Sequence, residues 1–215
     1  MDITKHLSDI LSHPTSIAAL IGLLLIIVVL MKFKKVKLDT RMIVLIGISL
    51  ALATILKMFK LYHWPQGGSV TPGSMVPILL IAFIYGPETG FLTGLLFGLI
   101  TLILDPYILH PVQVLFDYPL PFVMLGLAGY FDYKKTSTKL LGAFVAIFGR
   151  FICHFISGIV FFGSYAPKGT SPAVYSLMVN GPIVGVDGLI CLVILSMLPI
   201  NQLAKIALKK YSLQN

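Results

Sequence analysis

Apolar residues in this chain form long continuous runs separated by short polar stretches. Seven such runs occur, at about 16–31, 41–60, 73–86, 89–105, 112–131, 139–162 and 172–198. A membrane-spanning helix needs roughly 20 mostly apolar residues, whereas a barrel strand shows about ten residues of alternating character. The pattern therefore predicts an all-α integral membrane protein.

Two of the runs have features that refine this prediction. The run at 73–86 is short, which indicates a helix that is tilted, partly re-entrant or begins before residue 73. It is followed by GPETG at 86–90, where Gly86 and Pro87 predict a tight hairpin. The first run precedes its positive charges and has no small-residue cleavage site after it, so it indicates an uncleaved membrane helix rather than a signal peptide.

Composition agrees with a membrane location. The 215 residues are 57% hydrophobic and 11% charged, whereas soluble domains carry about 25% charged residues. Both cysteines, Cys153 and Cys191, lie inside apolar runs, which favours buried small side chains over a disulfide framework. The net charge of +8 comes from basic residues that flank the apolar runs, a pattern typical of membrane orientation and not of nucleic-acid binding.

The basic residues predict the direction of the spans. If the N-terminus lies outside and the C-terminus in the cytoplasm, Lys5, Lys57, Lys60 and Lys168 are external. We expect Lys57 and Lys60 to extend towards the outer headgroups. The larger basic group would then be cytoplasmic, as the positive-inside rule requires. It consists of Lys32, Lys34, Lys35, Lys37, Arg41, Lys134, Lys135, Lys139, Lys205, Lys209 and Lys210.

Polar side chains within three runs are predicted to lie at similar depth. At 1.5 Å per residue, Asp117 is roughly 7–8 Å below the outer end of its run, and His154 and Asn180 are roughly 12 Å below theirs. Such residues usually face a bundle interior or a pathway. We therefore expect a pocket that opens to the outside. The adjoining loops and helix start contribute Trp64, Tyr107, His110, Tyr165 and Tyr175.

One helical face carries much of this chemistry. Arg150, His154, Gly158 and Phe162 recur every four residues. Asp117 needs a cation or several donors, which a cationic ligand or a buried pair with Arg150 or His154 would supply.

A second acid has a different expected partner. Asp187 and Arg150 both lie roughly 16 Å from the cytoplasmic side of neighbouring helices. This common depth predicts a structural ion pair between them.

Other motifs are few. Gly47-x-x-x-Ala51 is a weak helix-packing motif on the second run. The sequence contains no G-x-x-x-x-G-K-[ST] loop, no G-x-S-x-G elbow and no H-E-x-x-H motif. Its five histidines have no metal-ligand spacing, so no metal or other cofactor is expected.

Three stretches of residues carry a recognisable pattern. They are MVPILLIAFIYGPETGFLTGLLFGLI at 75–100, FDYPLPFVMLGLAGYF at 116–131 and GRFICHFISGIVFFGSYAPKGTSPAVYSLMVNG at 149–181. In order and spacing they resemble the thiamine-specific S-components, the substrate-binding membrane subunits of energy-coupling factor (ECF) transporters. The resemblance implies a six-helix bundle in residues 41–215, with residues 1–40 as an extension that adds one transmembrane helix.

The resemblance also implies a function. Such a protein captures thiamine from outside with high affinity and joins a transmembrane coupling subunit and two cytoplasmic ATPases. The contact with the coupling subunit would fall on Gly47 and Ala51. Thiamine carries a cationic thiazolium, which suits aromatic faces and a carboxylate. The implied pocket, with Trp64 added as a stacking residue, comprises Asp117, Tyr118, Arg150, His154, Gly158, Phe162, Tyr175, Asn180 and Trp64.

The sequence departs from this family at three places, which keeps alternatives open. The family usually has Glu at Asp117 and often Trp at Phe162, and an acid expected just before Pro77 is missing here. The ligand could be thiamine held differently, a precursor such as a hydroxymethylpyrimidine, or another small heterocycle. From other classes, the chain could be an intramembrane enzyme that uses His154 and Asp117 as acid and base, or a structural subunit whose polar residues lock helices together.

Overall fold

The computed structural model describes residues 14–33, 38–65 and 68–208. Within this part the chain is almost entirely helical, with one two-stranded hairpin. The helices are α1 (Pro14–Phe33), α2 (Thr40–Met58), α3 (Val76–Tyr85), α4 (Pro87–Leu104), α5 (Pro111–Asp117), α6 (Pro119–Val123), α7 (Thr136–Phe161), α8 (Pro172–Met197) and α9 (Ile200–Leu208). The strands are β1 (Tyr62–His63) and β2 (Ser69–Val70), and two 3₁₀ segments cover Met124–Tyr130 and Gly163–Tyr165.

Five helical stretches are long and apolar enough to cross a membrane. They are Thr40–Met58, Pro87–Leu104, Pro111–Tyr130, Thr136–Phe161 and Pro172–Met197, with Pro14–Val28 and Val76–Tyr85 as shorter apolar helices. The predicted all-α membrane fold is therefore confirmed. Several of the residues used to predict orientation lie outside the described part, namely Lys5, Lys34, Lys35, Lys37, Lys209 and Lys210.

Local sequence explains where several helices begin. Helix α3 ends at Tyr85 and is followed by Gly86, whose φ of 91° suits glycine. Pro87 starts α4, so the predicted break at GPETG is confirmed. Ser171 caps α8 by accepting a hydrogen bond from the Val174 amide, and Pro172 occupies its first turn.

The predicted run at 112–131 corresponds to the candidate span Pro111–Tyr130, but this span is not one continuous α-helix. Helix α5 ends at Asp117, and the chain turns at Tyr118 before α6 begins with Pro119. Proline has no backbone N–H, so Pro119 cannot continue the hydrogen-bond pattern of α5. Gly98 of α4 packs directly against the Tyr118 carbonyl, where any larger side chain would collide. The break thus lies where two backbones approach closely.

The core packs between α3, α4, the 124–130 segment, α7 and α8. Phe97 and Phe122 meet edge to face, with ring centroids 4.7 Å apart. Lys57 points into this bundle and does not reach the outer headgroups as predicted. Its ammonium lies 5.9 Å from the centre of the Phe122 ring and 3.5 Å from Ser69 Oγ, so a ring face and a hydroxyl take the place of water.

The first two helices occupy different positions around the bundle. Helix α1 packs against α4, α5, α6 and α7, with Ala18 buried and Gly22 against the Phe116 ring. Helix α2 packs against α3 and α4. Its Gly47 and Ala51 are exposed, and a Cβ added at Gly47 would meet nothing within 4 Å. Helix α1 therefore leaves this small-residue face uncovered.

Candidate ligand-binding site

A cavity of about 150 Å³ lies between α5, α7 and α8, beneath the loops that follow α2 and α4. All nine predicted pocket residues line it. They are Trp64, Asp117, Tyr118, Arg150, His154, Gly158, Phe162, Tyr175 and Asn180. The cavity also has lining residues that the sequence reasoning did not select.

A continuous chain of polar contacts crosses the floor of the cavity. Arg150 donates to Asp187 Oδ2 at 3.1 Å through Nη1, and its Nε lies 3.5 Å from His154 Nε2. His154 Nδ1 lies 3.3 Å from Asp117 Oδ1. Because a guanidinium can only donate, His154 Nε2 accepts and Nδ1 carries the hydrogen that Asp117 accepts. These contacts are satisfied by a neutral imidazole with its hydrogen on Nδ1.

The predicted ion pair between Arg150 and Asp187 is confirmed. The side chains are 6% and 1% exposed, so the pair lies deep in the bundle. The other oxygen of Asp187 accepts from the backbone N–H of Thr71 at 2.9 Å and from its hydroxyl at 2.8 Å. Three donors thus satisfy this carboxylate, as a buried charge requires. The charge of Arg150 is consequently already balanced.

Asp117 has a different environment. Its side chain is 17% exposed, and its second oxygen accepts from the Gln113 amide at 2.6 Å. Both of its hydrogen-bond partners, Gln113 and His154, are uncharged groups. Asp117 therefore brings a negative charge to the cavity wall that neither of them neutralises.

Helices α7 and α8 meet at Gly158. A Cβ there would collide with Ser176 Oγ and lie 2.9 Å from Asn180 Nδ2. Ser176 donates to the Phe155 carbonyl at 2.8 Å, and the Asn180 amide donates to the His154 carbonyl at 3.2 Å. The glycine is what allows these side chains to tie the two helices together beside the cavity.

The loop 105–110 lies over the cavity and is held on several sides. The Tyr118 hydroxyl accepts from the Tyr107 amide and donates to the Asp105 carbonyl. Tyr107 stacks on Phe162, with centroids 6.0 Å apart, and its hydroxyl lies 3.3 Å from that of Tyr165. The Tyr165 hydroxyl raises the pKa of Tyr107, as does partial burial. These contacts connect the loop to the end of α7.

The same loop is tied to the end of α2 by an ion pair. Lys60 Nζ lies 2.7 Å from Asp105 Oδ2. Burial raises the pKa of Asp105, but the hydrogen bond and the charge of Lys60 lower it more, so that the net shift is downward. Lys60 therefore pairs with a protein carboxylate at a partly exposed site.

Among the cavity residues that the sequence did not predict, two are polar and lie on helices α5 and α8. Gln113 and Ser176 each lie four residues before a predicted residue, Asp117 and Asn180 respectively, and so share its helical face. That spacing was the available signal. His110, by contrast, was expected near the pocket but caps α5 through its Nδ1 and stacks on Phe161.

The fold and the cavity define a membrane protein with a pocket among three helices that is lined by polar and aromatic side chains. The family described as Thiamine transporter protein (Thia_YuaJ) matches residues 43–207. This chain therefore belongs to the thiamine transporter family, and the predicted relationship is confirmed.

Individual relatives agree with this assignment. Thiamine transporter ThiT of Bacillus subtilis (strain 168) is 39% identical over 168 residues, which cover 71% of this chain and 87% of the relative. Thiamine transporter ThiT of Lacticaseibacillus paracasei is 35% identical over 123 residues, covering 50% of this chain and 61% of the relative. A solved structure of ThiT from Listeria monocytogenes superposes with a TM-score of 0.68 at 24% identity, covering 77% of this chain and 96% of that one, and supports the fold.

Proposed function

We propose that this protein binds thiamine in the cavity between α5, α7 and α8 and serves as the substrate-binding subunit of a vitamin importer. The chain belongs to the thiamine transporter family, and one feature of its cavity supports thiamine as the ligand. Asp117 presents a carboxylate, held by uncharged partners, to a cavity lined by aromatic rings. A permanently cationic thiazolium is the part of thiamine that such a wall would favour.

The polar residues divide the remaining tasks. His154 and Asn180 offer hydrogen-bonding groups for the aminopyrimidine, together with Asp117. Phe162, Tyr175 and Trp64 offer ring faces for stacking.

Two further pocket residues act mainly through their neighbours. Arg150 is paired with Asp187 and reaches the cavity through His154, so its role is to orient that ring. The hydroxyl of Tyr118 forms both of its hydrogen bonds with the 105–110 loop, so Tyr118 holds this loop over the cavity.

Transport requires an energy source that this sequence does not encode as a P-loop. We infer that a transmembrane coupling subunit and two cytoplasmic ATPases supply it. The exposed Gly47 and Ala51 face of α2 offers a close-packing surface for the coupling subunit. With the N-terminus outside and the C-terminus in the cytoplasm of a bacterial cell membrane, the cavity would face the exterior.

The start of the family match supports a division of the chain into two parts. We infer that residues 41–215 form the S-component domain and that residues 1–40 are an addition. The family match starts at residue 43, after α1.

Calorimetry on the purified protein tests the proposal. Thiamine should bind saturably, whereas the isolated pyrimidine and thiazole fragments should bind much more weakly. Asp117→Asn should weaken thiamine binding more than binding of a neutral analogue in which carbon replaces the quaternary ring nitrogen. Recovery of chemically unchanged thiamine is expected. Absence of saturable thiamine binding, tighter binding of the pyrimidine alone, or conversion of the ligand would each overturn the proposal.

A further inference from the structure

Gln113 is a buried polar side chain beside the cavity whose amide nitrogen and oxygen both form hydrogen bonds. It is 1% exposed, on α5, one helical turn before Asp117. Its Nε2 lies 2.6 Å from Asp117 Oδ2 and 3.0 Å from the Tyr107 carbonyl, and its Oε1 accepts from the Leu109 amide at 3.0 Å. Both amide hydrogens and the carbonyl oxygen therefore have partners.

These partners leave a single orientation for the amide. A carboxylate and a backbone carbonyl can only accept, and a backbone N–H can only donate. Exchanging the nitrogen and oxygen of Gln113 would break all three contacts at once. The 105–110 loop therefore fixes the direction in which Gln113 donates.

The consequence reaches the pocket carboxylate. Asp117 Oδ2 is held by Gln113, and Oδ1 is left beside His154. An aspartate has one methylene group, so anchoring one of its oxygens largely sets its rotamer. Moreover, an amide donor stabilises the carboxylate without cancelling its charge, whereas a lysine or arginine at this position would cancel it.

We propose that Gln113 is a positioning residue for ligand binding, which orients Asp117 towards the cavity and makes that orientation depend on the 105–110 loop. The inference rests on the proposed function, because it concerns how the same cavity binds thiamine. Gln113 acts through Asp117 and needs no contact with the ligand.

A set of variants separates this role from simple support of the loop. Gln113→Leu removes all three hydrogen bonds at similar volume. Tyr118→Phe is the matched control, because it removes the two hydroxyl contacts that hold the same loop without touching the Asp117 carboxylate. Each is made alone and combined with Asp117→Ala, and thiamine dissociation constants are measured by calorimetry. Gln113→Glu keeps the size and the acceptor for Leu109 and is used if Gln113→Leu does not fold.

We expect Gln113→Leu to weaken thiamine binding by about 10- to 100-fold in the otherwise wild-type protein, as for loss of a hydrogen bond to a charged group. In the Asp117→Ala background the same change should cost less than about threefold, since its target is gone. Tyr118→Phe should weaken binding by the same factor in both backgrounds. Equal losses for Gln113→Leu in the two backgrounds would overturn the proposal.

A second readout needs no ligand. The infrared carboxylate band of Asp117 is identified by subtracting the spectrum of Asp117→Asn from that of the wild type. It should shift in Gln113→Leu or Gln113→Glu and stay in place in Tyr118→Phe. An unshifted band in the Gln113 variants would show that Gln113 does not hold Asp117. If thiamine did not bind to the wild type, the proposed function would be wrong. The infrared band would still show whether Gln113 holds Asp117.

Discussion

Two carboxylates inside the bundle have opposite surroundings. Asp187 is 1% exposed and receives donors from Thr71 and the charged Arg150. Asp117 is partly exposed to the cavity and receives uncharged donors. The charge of Asp187 is neutralised by Arg150 within the bundle, whereas the charge of Asp117 remains available to a cationic ligand. The two acids therefore separate structural and binding roles within one polar chain.

Asp187→Asn should destabilise the protein strongly. The change leaves the Arg150 guanidinium buried without its anion, which typically costs about 3–5 kcal/mol. Thermal unfolding in detergent measures the loss. Asp105→Asn is the control, because that acid pairs with Lys60 at an exposed site, where pairs are worth about 0–1 kcal/mol. An unchanged unfolding midpoint combined with lost thiamine binding would instead make Asp187 a ligand contact.

Gly158→Ala should weaken thiamine binding without preventing folding. Its new methyl group would push Ser176 and Asn180 away from α7, and overpacking of this kind costs about 1–3 kcal/mol. Calorimetry should therefore show an affinity loss of several-fold to about a hundredfold. Gly185→Ala, also on this helix pair but with nothing within 4 Å of the added Cβ, should bind thiamine normally. Wild-type affinity in Gly158→Ala would contradict close packing at this point.

Among the helices, α2 has an exposed face of small residues. Replacing Gly47 and Ala51 together by Leu should leave thiamine affinity unchanged, since neither residue lines the cavity. The bulk should block close approach of the coupling subunit. Binding to purified protein and thiamine uptake by cells are compared, and uptake alone should fall. Leu52→Ile, an exposed volume-conserving change on α2, should affect neither; normal uptake in the double variant would place the partner elsewhere.

Sequence patterns predicted the long helices well because their apolar runs are unbroken. Helices α7 and α8 begin and end within a few residues of the predicted runs. The break at Tyr118 was missed because the residues around Pro119 are themselves apolar, so hydropathy stays high across it. The hairpin of Tyr62–His63 with Ser69–Val70 is too short to show alternation, and α9 was not separated from the tail.

The site was predictable to the extent that it follows helical periodicity and depth. The four-residue spacing from Arg150 to Phe162 predicted a shared helical face, and the position of Asp117 in its run predicted its depth. All these residues line the cavity. The Thr71 contacts to Asp187 could not, because 116 residues separate the partners and the loop conformation that joins them has no local signature. Gln113 lies four residues before Asp117, but the depth argument did not include it among its candidates.

Considered as a whole, the molecule has an additional helix whose position leaves the proposed coupling face free. Helix α1 packs on α4 to α7, and the Gly47 face of α2 remains open. Deleting residues 1–37 should lower the thermal unfolding midpoint and speed thiamine release. The deletion removes the α1 residues that pack on Phe116, the neighbour of Asp117 in the chain. Uptake by the assembled importer should persist.

A milder variant checks the same contact. Gly22→Leu should reproduce part of the effect, since even a Cβ there lies 3.1 Å from the Phe116 ring. Leu24→Ala on an exposed face of α1 should not. Unchanged release rates in both the deletion and Gly22→Leu would show that α1 does not support the site.

Helix α1 also determines what borders the binding site on its outer flank. Where it covers Phe116, polypeptide takes the place that acyl chains would otherwise hold beside α5. Acyl chains change in length and saturation when a bacterium adapts to temperature, whereas the contacts of Ala18 and Gly22 with Phe116 belong to the protein and stay the same. Thiamine affinity should therefore differ little between detergent micelles and bilayers of contrasting fatty-acid content, so that vitamin capture stays constant while the surrounding membrane is remodelled.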